Sequence, residues 1–133
     1  MSERGTNMSE NQRSCACGEG PKLIFSCSGA ADVGALADQA ARKLTREGAG
    51  KMYCLAGIGG RVSGIMKTTE SAARILAIDG CPLNCVKNCL EQAGFTEFER
   101  LQLADLGLDK GKSPVNDENI AKVCGAAAEK MVC

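Results

Sequence analysis

The chain has 133 residues, enough for one domain with its own core. Its 16 basic and 16 acidic residues balance and only 3% of residues are aromatic, so neither nucleic acid nor an anionic membrane is an expected partner. Nine cysteines without one histidine confine any soft-metal site to thiolates, with Asp or Glu beside them, and rule out Ser-His and Cys-His mechanisms within this chain.

Residues 1–20 are polar and rich in Ser, Glu, Asn and Gly, and read as a flexible tail that carries Cys15 and Cys17. The tail has no apolar signal core and no later run is long enough to span a bilayer, so a cytoplasmic location is expected. In that reducing compartment an odd set of cysteines points to metal or redox chemistry, not to a disulfide framework.

Residues 21–133 read as one α/β domain. Lys22 to Cys27 form a first strand, and Ser28-Gly29-Ala30-Ala31 a small-residue turn. A helix begins at Asp32, with Val33, Leu36, Ala37, Ala40 and Leu44 at helical spacing, and ends at Gly48 and Gly50. Lys51 to Ala56 is the second strand. Gly57-Ile58-Gly59-Gly60 is a flexible turn before a helix from Val62 to Ala73, with Ile65, Met66 and Thr69 inward. Arg74 to Ile78 is the third strand. Pro82 fits the first turn of the next helix, which places Cys81 at or near its N-cap and Leu83, Val86, Leu90 and Ala93 on its apolar face. Phe95 to Leu103 alternates as an edge strand, 105–114 is a polar loop, and Asn116 caps a last helix carrying Ile120, Val123, Ala127 and Met131. Strands alternating with helices mean parallel strands joined by right-handed crossovers. The expected architecture is a three-layer α/β/α sandwich around a roughly four-stranded parallel sheet, flavodoxin-like in its order 2-1-3-4.

In such a sheet every βα turn lies at the C-terminal edge, where ligands bind. Cys27 ends the first strand, Cys54 lies late in the second, Cys81 follows the third, and Cys85 is one turn further on. If the first and third strands are neighbours, Cys27 and Cys81 face each other across the switch point. A helix N-terminus at Cys81 favours its thiolate. The spacing Cys-x26-Cys-x26-Cys-x3-Cys matches no common zinc ribbon, so topology rather than spacing brings these thiols together. Asp79 has a plain role as a turn and helix cap and a second one as a base or hydrogen-bond acceptor near a metal. Cys124 reads as core, Cys133 as a loose terminal thiol, and Cys89 as core-facing more readily than as a ligand.

Cys27-Ser28-Gly29-Ala30, the run from Lys51 to Gly60 and the run from Ala77 to Cys85 closely resemble the bacterial and archaeal DGC-domain proteins, named for the Asp-Gly-Cys seen here at Asp79-Gly80-Cys81. The resemblance runs from Leu23 to the C-terminus. It implies zinc binding, proposed for that family from four chelating cysteines, which correspond here to Cys27, Cys54, Cys81 and Cys85; the family's biological role is not established.

Two functions compete at this point. One is a zinc-binding protein with those four ligands, or an Fe–S carrier built on the same thiolates. The other is thiol redox or sulfur transfer with Cys81 as a low-pKa nucleophile. A tyrosine-phosphatase-like chemistry at Cys27 fails, because 27–33 holds no Arg for phosphate and has Asp32 where one would repel it.

Overall fold

Two adjacent strands carry the core, and both follow the period of two that a sheet covered on both faces requires. In a computed structural model that describes residues 19–132, β1 (Lys22–Ser26) and β3 (Arg74–Asp79) run parallel, with Leu23 beside Ile75 and Phe25 beside Ala77. Leu23, Phe25, Ile75 and Ala77 belong to the core on one face; Ile24, Leu76 and Ile78 belong to the core on the other. All of them are buried. β2 (Lys51–Met52) flanks β1, and β4 (Glu99–Gln102) flanks β3, giving an all-parallel sheet of order β2-β1-β3-β4. The order expected from the sequence is the order found.

Helices cover both faces. On one lie α1 (Asp32–Arg46), through Val33, Leu36, Ala37, Ala40 and Leu44, and α5 (Asp117–Met131), through Val123, Ala127 and Met131. On the other lie α2 (Leu55–Gly59), α3 (Ser63–Glu70) and α4 (Cys85–Gln92), which bring Ile58, Ile65, Val86 and Leu90. This is the three-layer sandwich the alternating pattern predicts. Asn116 caps α5 as expected, its side chain accepting from the Asn119 N–H at 2.8 Å. Among the described residues no helix is long and apolar enough to cross a membrane. The expected tail over 1–20, with Cys15 and Cys17, lies outside the described residues except for Glu19 and Gly20, and Cys133 lies outside them too.

Several boundaries differ from the sequence reading, each for a packing reason. β2 ends at Met52 rather than Ala56, and the glycine run expected as a flexible turn forms α2. A Cβ on Gly57 would lie 2.1 Å from Ile65 Cδ1, so the glycine lets α3 press against α2. Tertiary contact thus overrides glycine's poor helix propensity. α3 stops at Glu70 rather than Ala73, whose N–H instead donates to the Pro21 carbonyl at 2.8 Å and feeds β3. The edge strand is shorter than 95–103: it occupies Glu99–Gln102 and gives way to a 3₁₀ turn at Leu103–Leu106.

The largest correction concerns the stretch after β3. Cys81 is not a helix N-cap. Residues 81–84 form a β-turn closed by Asn84 N–H to Cys81 O at 3.3 Å, with Pro82 in the position such a turn favours. Asn84 is left-handed (φ 59°, ψ 45°), which separates the turn from a helix that begins only at Cys85.

Candidate functional site

The Asp-Gly-Cys turn can be rebuilt atom by atom. Asp79 is 2% exposed, and its carboxylate accepts from Val86 N–H at 2.8 Å and Lys87 N–H at 3.3 Å. It satisfies two first-turn donors of α4 that Asn84, whose side chain makes no cap bond, leaves free. Gly80 must lack a Cβ, since one would sit 2.8 Å from the Val33 carbonyl and 3.0 Å from the Gly34 N, in the first turn of α1. Gly34 in turn lies against the backbone of Gly29, where an added Cβ would approach to 2.4 Å. The turns after β1 and β3 are thus clamped together by α1, backbone on backbone. The Gly80 N–H, free of any ladder partner there, points at Cys27 Sγ at 3.4 Å.

Polar side chains fix the two turns further. Asn84 Oδ1 accepts from Gln102 Nε2 at 2.7 Å and Arg100 at 2.8 Å, which ties the Cys81 turn to β4. Ser28, also left-handed (φ 50°), donates from its N–H to Ser26 Oγ at 3.1 Å and from its hydroxyl to Asp38 Oδ2 at 2.7 Å. Non-glycine residues hold this backbone region at a cost, and here each is pinned by neighbours.

Five of the six free cysteines in the described chain, Cys27, Cys54, Cys81, Cys85 and Cys89, gather at this edge, along two cavities that share Cys27. A crevice of about 480 Å³ lies between the turns after β1 and β3 and is lined by Cys27, Cys81 and Cys85, with Asp79, Leu83 and Lys110. A wider cavity of about 1080 Å³ lies beside β2 and is lined by Cys27, Cys54 and Cys89 together with Arg42, Arg46 and Lys51. Cys54 is exposed at the start of α2, and Cys85 is exposed at the start of α4. The Cys85 thiol is pushed up from its ordinary range, first by desolvation of the sulfur and then by the Asp79 carboxylate and the thiols of Cys27, Cys81 and Cys89. Partial burial pushes the Asp38 carboxyl up, but hydrogen bonds from Arg42 and Ser28 outweigh it and hold the group below its usual range. Cys124, read from sequence as core, is buried in α5 with Sγ 3.5 Å from the Ala40 carbonyl.

All four cysteines singled out from sequence therefore reach one edge, although Cys54 and Cys81 arrive on elements other than those expected. Cys89, read as core-facing, belongs with them, its Sγ 3.6 Å from where a Gly59 Cβ would stand. Its signal was the four-residue step from Cys85, which repeats the step from Cys81. The cations of the wider cavity went unread because Arg42, Arg46 and Lys51, though close in sequence, come to one cavity only through the fold of α1 against the edge strand β2. By donor chemistry the edge fits a soft cation, since all five groups are thiols. The side chains do not surround a common point as they stand: among the described residues no group of three or more His, Cys, Asp or Glu side chains is close enough to hold a metal ion.

These features define a class: a small parallel α/β protein whose ligand edge is built from cysteine and clamped by an Asp-Gly-Cys turn. The chain belongs to the DGC-domain family, whose sequence profile, described as DGC domain, matches residues 23–127. It is also similar to the anaerobic and virulence modulator AnvM of Pseudomonas aeruginosa, with 41% identity over 88 residues that cover 66% of this chain and 67% of the relative. No solved structure matches the chain.

Proposed function

We propose that this protein binds zinc through Cys27, Cys81 and Cys85, with Cys54 as fourth thiolate. The observation that carries the reading is the crevice between the turns after β1 and β3, which Cys27, Cys81 and Cys85 all line and where a backbone N–H is already aimed at Cys27 Sγ. N–H groups directed at sulfur are the outer support that metal thiolates need. Four thiolates around Zn²⁺ leave a net charge of minus two, which such donors and nearby Lys110 would offset. The thiols are not yet gathered on one point, so binding requires side-chain rotation at the exposed Cys54 and Cys85. A site closed by four thiolates is structural or carrier-like; with only three, an open position would admit a Lewis-acid role.

The test is elemental analysis of protein purified without chelator under anaerobic, reducing conditions, with thiols counted alongside. The expected result is about one zinc per chain, as a four-thiolate site holds, lost on Cys81→Ser. Absence of metal with every thiol titratable overturns the reading. Iron with sulfide would assign the same thiolates to a cluster.

A second reading, thiol redox or sulfur transfer, is supported by the exposure of Cys54 and Cys85 and by the relative's name, which ties that protein to anaerobic modulation. Thiols are groups that oxidants change, and they stay reduced in the cytoplasm, where we place the protein.

A further inference from the structure

The wider cavity differs in chemistry from the crevice. Its charged lining is one acid, Asp38, against Arg42, Arg46 and Lys51. Asp38 is already taken by Arg42 at 2.6 Å and by the Ser28 hydroxyl, so the positive charge of Arg46 and Lys51 is not cancelled within the lining. In a chain whose formal charge is zero, this is a local cationic field. It is set beside an exposed thiol, Cys54, with Met52, Tyr53 and Leu55 as apolar wall. A volume of about 1080 Å³ holds a ligand of small-peptide size.

We propose that this cavity is a binding site for anionic low-molecular-weight disulfides, the class of acidic thiol peptides in oxidised form, and that Cys54 exchanges with them. The Cys54 thiolate attacks one sulfur of the ligand disulfide. A protein–ligand S–S bond forms, the ligand's own S–S bond breaks, and the second half of the ligand leaves as a thiolate that takes a proton from solvent. The number of S–S bonds is conserved: the Cys54 sulfur is oxidised by one level as it enters the mixed disulfide with one ligand sulfur, and the other ligand sulfur is reduced by one level to the thiol that leaves. Arg46 and Lys51 bind the ligand's carboxylates and do not touch the reacting sulfurs. The inference is independent of zinc except that both readings use Cys54.

The probes are oxidised glutathione, an anionic disulfide, and cystamine, a cationic one, each added to the full-length reduced protein. Adducts are followed by intact mass and located by peptide mapping, and rates are divided by those for a free cysteine peptide. The expected result is an adduct on Cys54, absent in Cys54→Ser, with oxidised glutathione favoured by about tenfold. The preference should shrink in high salt and reverse toward cystamine in the doubly substituted Arg46→Glu, Lys51→Glu protein. Both side chains lie on the surface of the cavity, so the fold should persist, which a thermal melt checks. Equal rates for the two probes, an adduct confined to other cysteines, or a preference unchanged by charge reversal would each overturn the proposal. Zinc content measured on the same preparations reports separately on the metal reading.

Discussion

At the residue scale, the Asp-Gly-Cys turn divides three tasks among three neighbours. Asp79 closes the start of α4, Gly80 admits the first turn of α1, and Cys81 opens the β-turn into the crevice. Replacing Asp79 with Ala leaves two helix N–H groups without partners in a buried site. The expected loss is about 2 kcal/mol, read by urea denaturation, with Asp79→Asn retaining part of it through its one amide oxygen. Gly80→Ala is worse placed than an ordinary glycine substitution, because its new methyl meets backbone rather than a movable side chain. It should displace the first turn of α1 and destabilise the protein by more than Asp79→Ala, which the same denaturation series compares. The sequence shows Asp-Gly-Cys plainly and gives Asp79 its role as a helix cap, which the structure bears out; it does not show that the glycine answers to α1.

At the element scale, the loop between the 3₁₀ turn and α5 is held over the crevice by one carboxylate from α1. Asp32 accepts from Gly111 N–H at 2.9 Å and Ser113 N–H at 3.0 Å, as well as from its neighbour Val33. Those two loop bonds come first among the causes that hold its carboxyl below the ordinary aspartate range. A depressed folded-state pKa means that the latch is fully present above the ordinary value and is lost as pH falls through the lowered one. Protection factors at Gly111 and Ser113, which correct for the intrinsic slowing of amide exchange at lower pH, should therefore fall on acidification, and Asp32→Asn should show the lower protection already at neutral pH, with α1 itself unchanged. If exchange in 107–114 is the same in wild type and variant, the carboxylate does not hold the loop. Asp32 was legible only as a first-turn acid; its loop partners lie so far along the chain that no local pattern reveals them.

At the scale of the whole molecule, the sheet is the part that everything else depends on. Leu76 is fully buried at the centre of β3, and Leu76→Ala should cost about 3 kcal/mol through lost burial and the cavity left behind. If zinc is held as proposed, metal at about 100 times its dissociation constant should add about 2.7 kcal/mol to the folded state. Addition of a chelator should then lower the melting temperature of the native protein and leave that of Cys81→Ser unmoved; a chelator without effect on either would remove any structural role for metal.

The sequence by itself determined the α/β class, the parallel pairing of the strands, the apolar faces of α1 and α5, the cap at Asn116 and the gathering of cysteines at one edge; the order 2-1-3-4 was an expectation by analogy that the structure bears out. These follow from local periodicity and from the rule that crossovers put every βα turn on the same side. Only the tertiary structure decided how that edge is divided. The glycines of α2 became helical because Ile65 packs on Gly57, and this turned the end of a strand into the start of a helix and carried Cys54 out to the exposed side. Asn84, tied to β4 by Arg100 and Gln102, delayed α4 and took Cys81 off its N-terminus. Cys89 joined Cys54 at the edge through a contact between segments distant in sequence, and the close turn from α1 into β2 set Arg46 and Lys51 on the same cavity. Periodicity reports which face of an element is apolar; where one element must yield to another is fixed by close approach in three dimensions, which no single stretch of sequence contains.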